Sequence, residues 1–486
     1  DPDVIRVEDT YYMVSTTMHF MPGCEILQSF DLVHWEHVTY VYETLDHTDA
    51  QQLKSGQNIY GQGMWAASLR YHEGRFCICF VANDTRKTYL YTSEKIDGPW
   101  KKQLIEGFYH DGSLLFDEDG RNYIVYGNDE IWITELNEDL TAPKKDGLHR
   151  LLVSDHKNPE LGYEGSHIQK INGYYYIFLV HSLRDRWMRT EACFYSDSLE
   201  GEFTGGDVLC DDRGYCGQGV AQGGIVDTPD GKWYAMLFQD SGAVGRIPIL
   251  LPVTWKDHFP VFGQNGHVPE EIEVHSTRPG YIYQPLVGSD DFCNGLLPRW
   301  QFNHDPDPRY YHLDALQGTY TITTREVCTE LTQAVNTLTQ RMSYPSCAAE
   351  VTVDASALKE GDVAGLCALQ GCYAAVGITK HHGKYEVLML DKKEDGILDM
   401  TEGTVVESHQ MDFRLEADFC NMKDEARCYY RVNKGDWLPI GTVHKLYFKL
   451  DHFTGCRFGL FCYAAEETGG SACFRDFKYY DVDEIS

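Results

Sequence analysis

The stretch WAASLRYHEGRFCICF, residues 65–80, contains the unit from which the first half of this chain is built. It begins with small residues, continues into a short strand and a Gly-containing turn, and ends in a second strand led by aromatic residues. Such an order is typical of a β-hairpin. Four other segments follow this template: DPDVIRVEDTYYMVS (1–15), DGSLLFDEDGRNYIVYG (111–127), EGSHIQKINGYYYIFL (164–179) and QGGIVDTPDGKWYAMLF (222–238).

A second, shorter motif follows most of these hairpins and marks the outer part of each repeat. It reads SFDLVHW at 29–35, SEKIDGPW at 93–100 and SDSLEGEF at 196–203, with a weaker NEDLTAP at 137–143. Repeats at roughly 45 to 65-residue spacing, each made of short strands, predict a β-propeller with five blades. The alternative is a β-sandwich whose strands resemble one another by accident.

The repeat defines the domain boundaries. It ends near Gly263, which predicts a propeller domain with the catalytic residues over 1–263. Residues 264–288 are polar and irregular, and we interpret them as a linker packed on both domains. Residues 289–486 contain alternating strands without the repeat and predict one β-sandwich. The chain is therefore expected to be all-β.

Composition excludes several classes of partner. The formal net charge is −32 over 486 residues, and a surface this negative repels phosphate backbones and anionic lipid. Neither nucleic acid nor a membrane is expected as a partner, and no apolar run of about 18 residues occurs. Many of the 16 cysteines lie in apolar, strand-like runs, which predicts buried free thiols and a cytoplasmic protein. A secreted protein with disulfides is the alternative.

The repeat also selects the candidate catalytic residues. We align the five inner strands on Ile5, Leu69, Leu115, Ile168 and Val226 and count four residues back. Inner strands line the channel of a propeller, so one residue per blade forms a ring around the axis. The predicted ring consists of Asp1, Trp65, Asp111, Glu164 and Gln222.

Three carboxylates in one ring point to acid–base chemistry. Like charges raise one another's pKa, so one group stays ionised as a base while another keeps its proton as an acid. Glycoside hydrolysis uses such a pair, and a separation of roughly 6.5–9.5 Å admits a water and inverts the anomeric configuration. Trp65 offers an apolar face to a sugar ring. Against this, a single Asp at a strand start is usually a turn or capping residue.

The motifs in their order resemble glycoside hydrolase family 43, in the branch with a C-terminal sandwich domain. The resemblance covers nearly the whole chain and implies a five-bladed propeller followed by a concanavalin-like β-sandwich. The matching pieces are DPDVIRVEDTYYMVSTT (1–17), MPGCEILQSFDLVHW (21–35), GMWAASLRYHEGRF (63–76), GFYHDGSLLFDEDG (107–120), YEGSHIQKINGYYY (163–176), GAVGRIPILLPVTW (242–255) and DDFCNGLLPRWQFNHDPDP (290–308).

The resemblance implies a role for each site residue. Asp1 is similar to the family's general base, Glu164 to its general acid, and Asp111 to the carboxylate that orients the acid and adjusts its pKa. Arg246 resembles an arginine that contacts the sugar and the carboxylates. Gln222 stands where many members have a His beside a calcium ion, so we expect no metal in the site and no cofactor, with a structural calcium ion left open.

The expected activity is that of an inverting, exo-acting hydrolase that releases terminal pentoses from plant hemicellulose, as an α-L-arabinofuranosidase, a β-D-xylosidase or both. In related enzymes the sandwich domain closes the pocket. We expect His19, Phe20 and Trp132 in the pocket wall. The alternatives are a carbohydrate-binding propeller without catalysis and an endo-arabinanase, which needs an open groove.

Overall fold

The computed structural model describes residues 1–481 and confirms the predicted all-β fold with a five-bladed propeller. Each blade is a four-stranded antiparallel sheet, with strand orders β1-β2-β4-β5, β6–β9, β10–β13, β14–β17 and β18–β21. The strands are β1 (Asp3–Val7), β2 (Thr10–Val14), β3 (Phe20–Met21), β4 (Gly23–Ser29), β5 (Glu36–Tyr42), β6 (Met64–His72), β7 (Arg75–Ala82), β8 (Lys87–Ser93), β9 (Lys101–Ile105), β10 (Ser113–Phe116), β11 (Asn122–Asn128), β12 (Glu130–Leu136), β13 (His149–Ser154), β14 (Glu164–Ile171), β15 (Tyr174–Ser182), β16 (Arg189–Ser196), β17 (Thr204–Leu209), β18 (Ala221–Asp227), β19 (Trp233–Asp240), β20 (Arg246–Lys256) and β21 (Phe259–Phe262).

Neighbouring blades pack through apolar clusters, and one residue of each inner strand is buried against the preceding blade. These five residues are Val4, Leu69, Leu114, Ile168 and Ile225. In three blades the residue just before this one accepts a hydrogen bond from a backbone amide of the next blade. Asp3 accepts from Leu69 at 2.7 Å, Ser68 from Leu114 at 3.1 Å, and Ser113 from Ile168 at 3.0 Å. This belt of hydrogen bonds fixes which residues are equivalent between blades.

Two arginines tie the blades together at the axis. Arg6 of the first blade donates to Asp227 of the fifth at 2.5 Å, which closes the ring between its two ends. Arg70 donates to Asp3 and to Ser113 Oγ, both at 2.8 Å, and so joins three consecutive blades across the channel. The Arg70–Asp3 pair is largely buried, and it forms a floor beneath the residues at the channel mouth.

The second domain is a sandwich of two antiparallel sheets that enclose one apolar core. One sheet has the order β3-β22-β25-β35-β27-β28-β29-β30 with β31 paired to β29, and the other β23-β24-β36-β26-β32-β33-β34. Its strands are β22 (Gln301–Asn303), β23 (Tyr311–Asp314), β24 (Thr319–Thr323), β25 (Leu338–Arg341), β26 (Ser346–Asp354), β27 (Val363–Leu369), β28 (Ala374–His381), β29 (Lys384–Lys392), β30 (Leu398–Met400), β31 (Thr404–Val406), β32 (Gln410–Asp418), β33 (Glu425–Arg431), β34 (Leu438–Lys445), β35 (Arg457–Tyr463) and β36 (Ser471–Asp481).

Helical structure in the described part of the chain is limited to single 3₁₀ turns. They span Lys54–Gly56, Gly242–Val244, Leu331–Gln333, Cys420–Met422 and Leu450–His452. No helix within residues 1–481 has the length and apolar character needed to cross a membrane. All 16 cysteines fall inside this range, and none is paired with another.

The two domains share a sheet and are connected by a segment that packs on the propeller. Strand β3, which leaves the first blade, pairs with β22 of the sandwich. Residues 263–288 run from the fifth blade along the first, where Arg278 donates to Asp9 at 2.8 Å and the amide of Phe30 donates to the Tyr283 hydroxyl at 2.8 Å. This docking holds the sandwich over one end of the propeller channel.

Candidate active site

The residues at the channel mouth form two levels. We count back along each inner strand from the residue that is buried against the preceding blade, which is Val4, Leu69, Leu114, Ile168 or Ile225. The residue three positions earlier belongs to the inner level, and the residue four positions earlier belongs to the outer level. The inner level consists of Asp1, Ala66, Asp111, Gly165 and Gln222, and the outer level includes Trp65, His110, Glu164 and Ala221. Positive φ angles at Asp111 (47°), Gly165 (67°) and Gln222 (62°) support this alignment.

The predicted ring mixes these two levels because the sequence alignment is one residue out of register in three blades. In the first, third and fifth blades, two apolar residues are adjacent, as in Val4–Ile5, and the pattern alone does not tell which faces the preceding blade. The blades also contain β-bulges between Met64 and Ala67, between Glu164 and His167 and between Ala221 and Gly224. A bulge adds one residue and re-aims the side chains beside it.

Asp1 is held by two donors at the channel mouth. The Thr16 hydroxyl donates to one carboxylate oxygen at 2.5 Å, and Arg246 Nη1 donates to the other at 2.6 Å. Arg246 also contacts Asp240 at 3.3 Å, and its guanidinium lies between the rings of Phe238 and Phe453, 4.5 and 4.3 Å from their centroids. A buried, permanently charged arginine favours the ionised form of Asp1.

His110, Asp111 and Glu164 form the second part of the site. His110 Nε2 is 3.3 Å from Glu164 Oε2 and 3.5 Å from Asp111 Oδ2. Asn128 donates to the same Glu164 oxygen at 2.8 Å, and the amide of Gly165 donates to Asp111 Oδ2 at 3.0 Å. The end of strand β11 thus positions the carboxylate of Glu164, while the amide of Gly165 fixes Asp111.

The pKa values in this cluster are shifted by mutual contact and burial. The charge of Asp111 is the main cause that raises the pKa of His110 to about 9, with Glu164 adding to it. Burial raises the pKa of Asp111. Burial also disfavours the ionised form of Glu164, but the hydrogen bond and charge of His110 outweigh it and lower the pKa of Glu164. At neutral pH the proton of the cluster therefore resides on His110, and not on Glu164 as the sequence analysis expects of an acid.

The sandwich domain contributes Phe453 to the site. Its ring packs edge-on against Trp65, with centroids 5.4 Å apart, and only 2% of its surface is exposed. The loop that carries it is docked by the amide of Cys456, which donates to the carbonyl of Ala243 at 2.8 Å. Gly455 has a φ of 100°, and a Cβ there would lie 2.0 Å from the Val244 carbonyl oxygen, so glycine is required for this close approach.

The structure brings most of the predicted site residues together, but not all. Asp1, Asp111, Glu164, Trp65 and Arg246 lie around one mouth of the channel. Gln222 lies at the same level as Asp1 and Asp111, but its buried side chain packs against Gly165 and, within residues 1–481, makes no hydrogen bond with either carboxylate.

His19, Phe20 and Trp132 lie away from the predicted pocket wall. His19 and Phe20 are completely buried among aromatic rings of both domains, including His304 and His452, because β3 joins the sandwich sheet. Trp132 stacks on His149 within the third blade, with centroids 5.2 Å apart.

Several residues of the site were not predicted. His110 precedes Asp111 directly and is equivalent to Trp65 and Glu164, so an alignment on the hairpin turns would have found it. Arg189 pairs with Asp240, which in turn contacts Arg246, and this buried chain of charges supports Asp1 from behind. Asn128 and Phe453 carry no signal in the sequence, because Asn128 meets Glu164 of the next blade only in the folded propeller and Phe453 arrives with the second domain.

One group of side chains has the geometry to hold a cation. Among the described residues, the ligand atoms of His110, Asp111 and Glu164 lie within 4.8 Å of one another. One imidazole and two carboxylates suit a transition ion better than Ca²⁺, which prefers six or more oxygen ligands. The absence of a metal from the site stays a prediction, and so does the alternative of a structural calcium ion.

Comparison with known proteins places both domains. The model of "Glycosyl hydrolases family 43" matches residues 1–260, and that of "Beta xylosidase C-terminal Concanavalin A-like domain" matches residues 289–480. A beta-xylosidase of Formosa agariphila is 26% identical, over 99% of this chain and 87% of that protein.

Two solved structures are similar over 99% of this chain. A bifunctional GH43-CE protein of Bacteroides eggerthii has 42% identity and a TM-score of 0.91, and this chain spans 62% of its length. A GH43 glycoside hydrolase engineered to display both endo-xylanase and exo-arabinofuranosidase activity is 27% identical to this chain, with a TM-score of 0.87. This chain covers 97% of its length.

Proposed function

The chain belongs to glycosyl hydrolase family 43, and we propose that it is an exo-acting, inverting hydrolase that releases terminal pentoses from plant hemicellulose oligosaccharides. The observation that carries this proposal is the convergence of Asp1, Asp111 and Glu164 at a channel mouth that a second domain closes with Phe453. Glycoside hydrolysis requires two carboxyl groups that flank the scissile bond, one as acid and one as base or nucleophile.

Asp1 is the proposed general base. Arg246 favours the ionised form of its carboxylate and Thr16 orients it, so it can accept a proton from a water molecule that attacks the anomeric carbon. Because Arg246 is itself fixed by Asp240 and two aromatic rings, the base keeps its geometry during the reaction. The displaced glycosidic oxygen takes its proton from the other side of the ring.

Glu164 is the proposed general acid, and His110 its proton source. The proton on His110 Nε2 passes to Glu164 Oε2, 3.3 Å away, and from there to the leaving oxygen as the glycosidic bond breaks. Asp111 keeps the cluster protonated through its negative charge, which raises the pKa of His110. Glu164 therefore receives its proton from His110 in the step that breaks the bond, since the pKa of Glu164 itself lies below its ordinary value.

Exo cleavage is supported by the closed end of the site. Phe453 and Trp65 form an aromatic wall at right angles to each other, and Arg70 with Asp3 and Ser113 forms the floor below. A site closed on these sides admits one terminal sugar rather than a continuous chain. An endo-acting enzyme would need a groove open at both ends.

The proposed substrates are β-D-xylosides, α-L-arabinofuranosides or both. Relatives named as beta-xylosidase and a similar structure with exo-arabinofuranosidase activity support this class, and the two sugars present hydroxyls in a similar arrangement. A neutral pentose also avoids the repulsion that an anionic substrate would meet in a chain of net charge −32.

The test is hydrolysis of the nitrophenyl β-xyloside and α-arabinofuranoside with proton NMR of the first product formed. An inverted anomer released from the non-reducing end is the expected result, and a retained anomer would rule out the water-activating role of Asp1. Asp1→Asn and Glu164→Gln should lower kcat by about 10²–10⁴-fold. Binding of xylo-oligosaccharides without any product would instead indicate a carbohydrate-binding propeller.

A further inference from the structure

A second cavity lies between the two domains, on the flank of the propeller. Its volume is about 470 Å³, and its lining includes Glu25, Tyr40 and Arg246 of the propeller with Arg299, Arg341 and Tyr344 of the sandwich. Cavities of about 300–1,000 Å³ are typical of small-molecule sites. The cavity lies outside the group formed by His110, Asp111 and Glu164, none of which lines it.

Its lining carries more positive than negative charge. Glu25 is the carboxylate of the lining, and it is already shared by Arg341 at 3.3 Å and His37 at 3.1 Å. Arg299 contacts only the backbone carbonyl of Ser289, at 3.4 Å, and no carboxylate of residues 1–481 lies within 4.0 Å of it. Arg299 is half-exposed at the edge of the cavity, so its guanidinium is free to bind an anion that enters from solvent.

A further arginine adds to this excess from behind. Arg457 of β35 lies directly opposite Arg341 of β25, so both side chains are on the same face of the sheet. Arg457 is 1% exposed, and its Nη1 donates to Gln301, a residue of the cavity lining, at 2.8 Å. Its Nε and Nη2 have no acceptor among the described residues. Glu25 compensates the charge of Arg341, and the Arg457 guanidinium lies 3.6 Å from the centroid of Phe20, so Arg457 is left without a carboxylate of its own.

We propose that this interdomain cavity binds a sugar acid, a pyranose that carries a carboxylate. Arg299 and Arg341 bind the carboxylate, since the planar guanidinium fork matches two carboxylate oxygens. Tyr40 and Tyr344 lie on the lining at a position to contact the sugar ring. A single inorganic ion would leave most of the cavity unfilled, whereas a uronate supplies both the charge and the volume.

Calorimetric titration of the whole chain with sodium D-glucuronate tests the proposal, because it measures binding and not turnover. D-glucose and inorganic phosphate at matched ionic strength serve as comparison ligands. We expect saturable 1:1 binding of glucuronate and at least a tenfold weaker Kd in Arg299→Gln. The matched control is Arg309→Gln, an exposed sandwich arginine paired with Asp307, which should leave the Kd unchanged.

Each other outcome decides against the proposal. Equal binding of glucose would show that the carboxylate is not recognised, and equal binding of phosphate would assign the cavity to a small anion. Loss of glucuronate binding in Glu164→Gln would place the ligand in the active site. Arg341→Gln, checked for folding by its thermal midpoint, is the second test variant, and unchanged affinity in both arginine variants would overturn the site. None of these results depends on the proposed hydrolase activity.

Discussion

Replacing Phe453 by alanine tests whether the sandwich domain is part of the catalytic site. The ring contacts the Arg246 guanidinium at 4.3 Å and Trp65 at a centroid distance of 5.4 Å. A desolvated cation–π contact contributes about 2 kcal/mol and an edge-on aromatic pair about 1 kcal/mol. Both contacts are present in the free enzyme, so their loss lowers the stability of the folded protein by about 3 kcal/mol. We expect kcat/KM to fall because Arg246 no longer holds Asp1 in place, and a misplacement of about 1 Å costs roughly 10²-fold.

The assay is kcat/KM on the nitrophenyl pentoside that the parent hydrolyses faster, together with the thermal midpoint to verify folding. Leu450→Ala is the matched control, because Leu450 lies in the same loop but is 63% exposed and should change kcat/KM less than about twofold. A folded Phe453→Ala protein with kcat/KM within threefold of the parent would refute the idea that the second domain holds Arg246 in place.

Three further outcomes follow from the charges of the site. His110→Gln should move the basic limb of the pH profile of kcat/KM to lower pH by more than one unit. The reason is that the group with a pKa of about 9 is lost and the proton must then rest on a carboxyl group. An unchanged basic limb would contradict the role of His110 as the proton source. Glu164→Gln should lose less activity on a nitrophenyl substrate than on xylobiose, since a good leaving group needs little protonation; equal losses would argue against an acid. Glu191 is fully buried, and burial raises its pKa well above the ordinary value. Its contribution to stability is present below about pH 4.5 and declines above it, because only the unfolded chain then loses the proton. Glu191→Gln removes that decline. The free energy of unfolding in urea, measured for the variant relative to the parent, should therefore rise between about pH 5 and 8. The same pH dependence in both proteins would contradict this prediction.

The hairpin repeat was sufficient to predict the propeller, because each blade buries its apolar face through the same short pattern. It did not give the register of the inner strands. Val4 and Ile5 are both apolar, and only the hydrogen bond between Asp3 and the amide of Leu69 shows which residue is equivalent to Leu69. The predicted ring therefore contains the three carboxylates but omits His110, which lies at the same level as Glu164.

The sequence by itself determined the all-β fold, the five blades and the three acidic groups, since these depend on patterns that are local in the chain. Tertiary structure alone decided that Phe453 covers Arg246, that His19 and Phe20 belong to the domain interface, and that His110 carries the proton of the acid cluster. The physical reason is that burial and charge coupling arise between segments far apart in sequence, and those interactions exist only once the two domains have packed together.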